Sequence, residues 1–137
     1  MVIRNFSELE TALKGRPPLR PAVAGAEDAA TLEALAAALA EGLIAGAILT
    51  GDADRIEALL PSALAPHVHI RPAASAAEAA VLAVAAIRAG EADVLVKGNV
   101  DSASYLRAVV LRDTGLRASP VLSNLTLAEM PSAPRLI

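Results

Sequence analysis

The residues best placed to do chemistry in this 137-residue chain are Lys97, Gly98 and Asn99, which close the apolar run Val94-Leu95-Val96. A lysine ending a short buried strand puts an ammonium at the strand's carboxyl tip. The glycine after it permits close backbone approach, and a following helix turns its positive end toward the same point. Phosphate or pyrophosphate suits such a corner. The plainer alternative, in which Gly98 only makes the turn and Lys97 only reaches water, stays open at this level. Two other apolar runs end in a similar way, at Gly25-Ala26-Glu27-Asp28 and at Gly51-Asp52.

Other polar residues fit plainer roles. His67 and His69 are two apart on what reads as a third strand and would share a face, but no further ligands lie near them. They read as structural or solvent-facing rather than metal-binding. Glu27 and Asp28 could form a carboxylate pair, although helix capping accounts for Asp28 without catalysis. Arg107, Arg112 and Arg117 form a loose basic series of the kind usually found on a solvated face, though any one could bind an anionic substrate. Ser123 has no histidine within sequence reach and is a poor hydrolase nucleophile. The phosphate signatures G-x-x-x-x-G-K-[ST] and G-x-G-x-x-G are both absent, which argues against a P-loop enzyme and a dinucleotide fold.

The elements that must position these residues alternate along the chain. Ser7 and Glu10 suggest a capping box for a first helix through Leu9 and Leu13, ending at Gly15. Ala22-Val23-Ala24 reads as a strand, and Asp28 as the cap of a helix whose stripe is Leu32, Leu35, Ala36 and Leu39, stopped at Gly42. Ala47–Thr50 is a second strand, followed by a short helix through Ile56, Leu59 and Leu60. Val68–Arg71 is a third strand. Ser75 and Glu78 open an alanine-rich helix through Val81, Val84 and Ile87 that ends at Gly90. Val94–Val96 is the fourth strand, and a helix over about 102–111 follows. Short apolar strands alternating with helices predict an α/β fold: a doubly wound, mostly parallel sheet with helices on both faces. From Pro120 the pattern becomes extended, and Arg135-Leu136-Ile137 resembles the start of another strand.

Composition bounds the partners. The net charge is −3 and the only aromatic residues are Phe6 and Tyr105, so neither electrostatics nor base stacking favours nucleic acid. Alanine supplies 33 residues, which leaves Leu, Val and Ile to fill the core. Without cysteine there are no disulfides or thiolate metal sites. The N-terminus lacks a signal-peptide pattern, and the most apolar stretch, 73–89, is broken by Glu78 and Arg88. A cytoplasmic protein with no membrane partner is expected.

Taken in order, several segments resemble the phosphate acetyl/butyryltransferase family. They are Val23-Ala24-Gly25-Ala26-Glu27-Asp28, Gly42-Leu43-Ile44, Gly51-Asp52, Gly90-Glu91-Ala92-Asp93-Val94-Leu95-Val96-Lys97-Gly98, Leu106-Arg107-Ala108-Val109, Thr114-Gly115-Leu116-Arg117 and Leu122-Ser123. The resemblance implies the first domain of a two-domain fold of the isocitrate/isopropylmalate dehydrogenase type, spanning 1–137, with the second domain absent. It also implies transfer of an acyl group between coenzyme A and phosphate, with coenzyme A as substrate, no covalently bound cofactor and no metal ligand set, in a dimeric enzyme. The positions it brings to the cleft are Lys97, Gly98, Ser102, Arg107 and Ser123, with no catalytic residue assigned. The butyryltransferase branch commonly has His-Thr where this chain has Asp101-Ser102, and Ser-His where it has Ser123-Asn124. Those departures leave room for a second reading, a non-catalytic coenzyme A/phosphate-binding or interaction module.

Overall fold

The structure, a computed structural model, describes residues 2–111, 114–116, 126–130 and 132. Its centre is a parallel sheet of four strands: β1 (Pro21–Ala24), β2 (Ala47–Gly51), β3 (Val68–Pro72) and β4 (Val94–Lys97), in the order β3-β2-β1-β4. The registers Ala22↔Ile48, Ile48↔His69 and Ala22↔Leu95 run through all four. Around it lie α1 (Phe6–Leu13), α2 (Ala29–Ala40), α3 (Ala53–Leu59), α4 (Ala76–Arg88) and α5 (Ser102–Val110).

Alternation along the strands divides the core into two layers, as a two-sided sheet requires. Val23 and Leu49 face Leu32 and Leu35 of α2 and Ile56 of α3. Ala22, Ala24 and Ile48 face Ala80, Ala83 and Val84 of α4 and Ala108 of α5. On the α4 side the buried residues are mostly alanine, and Leu and Ile fill much of the opposite layer. The chain steps from β1 outward to β2 and β3, then returns through α4 to the far side of β1. The doubly wound expectation is met.

Three local expectations need correction. The first helix starts earlier than Ser7 implied: Asn5 is the cap, its side chain accepts from the Glu8 N–H, and Glu8 reaches back to the Arg4 N–H. An Asn-x-x-Glu box two residues upstream satisfies the same free donors. His67 closes a 3₁₀ turn, Ala65–His67, forced by Pro66, so it does not share a strand face with His69. Finally, β4 is not buried. Among the described residues it lies at the edge of the sheet, and Val94 is 37% exposed, whereas β1 is wholly buried. A short apolar run looks the same in sequence whether it is central or at an edge.

Candidate functional site

The tips of all four strands meet at one end of the sheet, and the hydrogen bonding of the sheet continues past them. Gly25 and Ala26 N–H both donate to Thr50 O, at 3.0 and 2.9 Å, and Ala73 N–H donates to Gly51 O at 2.8 Å. Gly98 N–H donates to Ala24 O at 2.9 Å, and Asn99 N–H to Gly25 O at 2.6 Å. These bonds make a fixed floor. Glycine is needed where the loops touch: a Cβ on Gly98 would strike the Gly25 carbonyl, and Gly25 itself sits at φ +75° against Asn99. One buried hydroxyl ties the floor to the helix layer. Thr50 Oγ1 lies 2.8 Å from Val23 O and 2.7 Å from Ala79 O, joining β1, β2 and α4.

Above this floor opens a cleft of about 410 Å³, to which each strand-to-helix loop contributes. Glu27 comes from the loop after β1, Gly51 and Asp52 from the end of β2 and its loop, Arg55 from the first turn of α3, Ala74 and Ser75 from the loop after β3, and Asn99 and Asp101 from that after β4. Carboxyl ends of parallel strands beside a reversal in strand order are where open α/β sheets bind ligands. A second groove of similar volume lies near the amino ends of β1 and β2, walled by Leu13, Pro17, Leu19, Leu43 and Ile44, with none of these polar groups.

The carboxylates of the cleft are committed to the backbone. Glu27 Oε2 accepts from Asp52 N–H at 2.8 Å. Asp52 Oδ1 accepts from Arg55 N–H at 3.2 Å, and Asp101 Oδ2 from Ser104 N–H at 2.8 Å, so these two cap α3 and α5. Ser75 caps α4 through Glu78 N–H. The Asp101 carboxyl is held below its ordinary range chiefly by the Ser104 N–H, with the Ser104 side chain and the Arg107 charge adding to it. Glu27 seats so closely that a Cβ on Gly51 would fall on its carboxylate, and Gly51 has φ +145°.

Gly98 shapes the floor beneath this cleft, whereas Lys97, Ser102 and Arg107 are exposed on the β4–α5 flank and do not line it. Lys97 pairs in register with Ala24 but sits on the edge strand, where its side chain meets solvent. Ser102 opens α5 directly after its cap. Ser123 lies outside the described residues. Asn99, singled out from the sequence with Lys97 and Gly98, does line the cleft, whereas Arg55 and Ser75 were not foreseen there. The available signal was their common position, each just past a strand tip. His67 and His69 are both exposed, and among the described residues no group of three or more His, Cys, Asp or Glu could hold a metal ion.

Comparison with known proteins adds lineage to this geometry. No family model matches the chain. A probable phosphate butyryltransferase of Bacillus subtilis is 41% identical over 85% of the chain, and the phosphate butyryltransferase of Clostridium beijerinckii is 35% identical over 98%. That of Clostridium acetobutylicum is 34% identical over 99%. Over most of its length, then, the chain is similar to phosphate butyryltransferases. It spans less than half the length of these relatives, 38% to 46%. A branched-chain phosphotransacylase from Enterococcus faecalis superposes with a TM-score of 0.68 at 19% identity, over 86% of this chain and 41% of the other, which establishes the shared fold. The described residues form a sheet whose four strand tips face one cleft. No helix among the described residues is long and apolar enough to cross a membrane.

Proposed function

We propose that this chain is the first domain of a phosphate acyltransferase, and that its strand-tip cleft forms one wall of the active site. The reaction is acyl-CoA plus phosphate to acyl phosphate plus coenzyme A. In the reverse direction the thiolate attacks the acyl carbon, a C–S bond forms, the C–O bond to phosphate breaks, and the thiol proton passes to a base. Donors that neutralise the phosphate lower the barrier, as does the base that frees the thiol. The observation that carries the reading is the 34–41% identity to phosphate butyryltransferases over nearly the whole chain, together with a polar cleft at the carboxyl tips.

Gly98 shapes the floor, and the family resemblance assigns Lys97, Ser102, Arg107 and Ser123 to the substrate, the first three carried on the exposed β4–α5 flank beside the cleft. Coenzyme A enters as substrate and no covalent cofactor takes part. The enzyme works in the cytoplasm as a dimer, without nucleic acid or membrane as partner. Acyl phosphate formation from butyryl-CoA and from acetyl-CoA, followed by release of free thiol, tests the proposal. Turnover by the chain supports an active enzyme. Binding of coenzyme A without turnover favours the non-catalytic module, and failure to bind either coenzyme A or phosphate removes both readings.

A further inference from the structure

The polar groups lining the cleft differ in how far the fold has already used them. The carboxylates of Glu27, Asp52 and Asp101 each accept from a backbone N–H and so serve the loops that carry them. Arg55 differs from them. Its backbone N–H is bound by Asp52, but among the described residues nothing hydrogen-bonds or ion-pairs with its guanidinium. Arg20 and Arg71, in contrast, are paired with Asp93 and Glu91. Among the described residues, Arg55 is also the single cation lining the cleft.

Its base is well anchored. Asp52 grips the first turn of α3, Glu27 grips Asp52, and the neighbouring Ile56 is fully buried. The root of the side chain is therefore fixed while the guanidinium stays uncommitted. A planar fork of donors is matched by a phosphate or phosphoanhydride group, which takes two parallel N–H···O bonds. Ser75 and Asn99 line the same cleft and offer neutral donors. We propose that Arg55 is the phosphate-binding cation of this cleft, taking the charge of orthophosphate, acyl phosphate or a phosphate group of coenzyme A. The three carboxylates repel any dianion in the cleft, so binding of a phosphate group there depends on the arginine. This assignment rests on the acyltransferase reading and names a group within it.

The test is equilibrium binding of two probes, inorganic phosphate and coenzyme A, to the 137-residue chain and its variants. Arg55→Ala should weaken binding of at least one probe by roughly tenfold or more, the loss expected for a charge-assisted hydrogen bond. Arg55→Lys should recover part of the affinity. Arg16→Ala, at the opposite end of the sheet, should bind as the unmodified chain does. If Arg55→Ala lowers stability, Arg55→Gln keeps a polar side chain there without the charge and should show the same loss. Sensitivity to phosphate alone points to the orthophosphate or acyl phosphate position, and sensitivity to coenzyme A alone to one of the phosphate groups of coenzyme A. Undiminished binding of both probes by Arg55→Ala and Arg55→Gln overturns the assignment but leaves the acyltransferase reading in place. Failure of the unmodified chain to bind either probe overturns both.

Discussion

Two strand tips are written almost alike, Leu49-Thr50-Gly51-Asp52 at β2 and Val96-Lys97-Gly98-Asn99 at β4. Each ends an apolar run with a polar residue, a glycine and an Asp or Asn that precedes a helix. The sheet uses them differently. The β2 tip is interior, so Thr50 is buried and spends its hydroxyl on carbonyls of β1 and α4, while Gly51 makes room for Glu27. The β4 tip is at the edge, so Lys97 meets solvent and Gly98 serves the backbone crossing to Gly25. The cation that reaches the cleft comes from the first turn after the interior tip. What a strand tip can do depends on its neighbours in the sheet as much as on its own residues.

The comparison can be broken by substitution. Leu49→Ala, in the fully buried strand, should cost about 2–5 kcal/mol in urea unfolding. A loss no greater than that of an edge residue would deny that β2 is central. Gly51→Ala should cost about 1–3 kcal/mol through its positive φ alone, and the displaced Glu27 carboxylate should add to this. Thr50→Val keeps shape and loses the shared hydroxyl, so about 1 kcal/mol is expected by thermal or urea unfolding. At the β4 edge, Val94→Ala should fall below about 1 kcal/mol.

The smallest effect concerns pH. Hydrogen bonds from Arg20 hold Asp93, those from Arg71 hold Glu91, and those from Ser104 hold Asp101, each below its ordinary value of 3.8, 4.5 and 3.8 respectively. A carboxyl depressed in the folded state stabilises it fully above the unfolded value, and the gain is lost as pH falls through the folded one. Stability should therefore decline slightly below about pH 4.5, and Asp93→Asn should flatten part of that slope. All three groups are well solvated, so the change is modest.

Much of this fold is legible in the residues because its signals are local. Asp28 caps α2, Gly42 and Gly90 take the positive φ that ends α2 and α4, and Pro66 and Pro72 bracket β3. The Asn5 cap competed with a plausible Ser7 motif, and only the path of the chain decides between them. The site was less legible because it depends on strand order. Nothing in Val94-Leu95-Val96-Lys97 marks an edge strand, and nothing in Asp52-Ala53-Asp54-Arg55 says that its arginine lies beside Ser75 and Asn99. Those neighbours become adjacent only once β3, β2, β1 and β4 take their places.

The most direct test of the strand-tip account is a map of amide and arginine Nε chemical shifts as inorganic phosphate is added to the chain. Saturable shifts should gather at Arg55 Nε and at the amides of Gly51, Asp52, Ser75 and Asn99. Saturable shifts confined to Leu13, Arg16, Leu19 and Leu43, at the opposite end of the sheet, would contradict it.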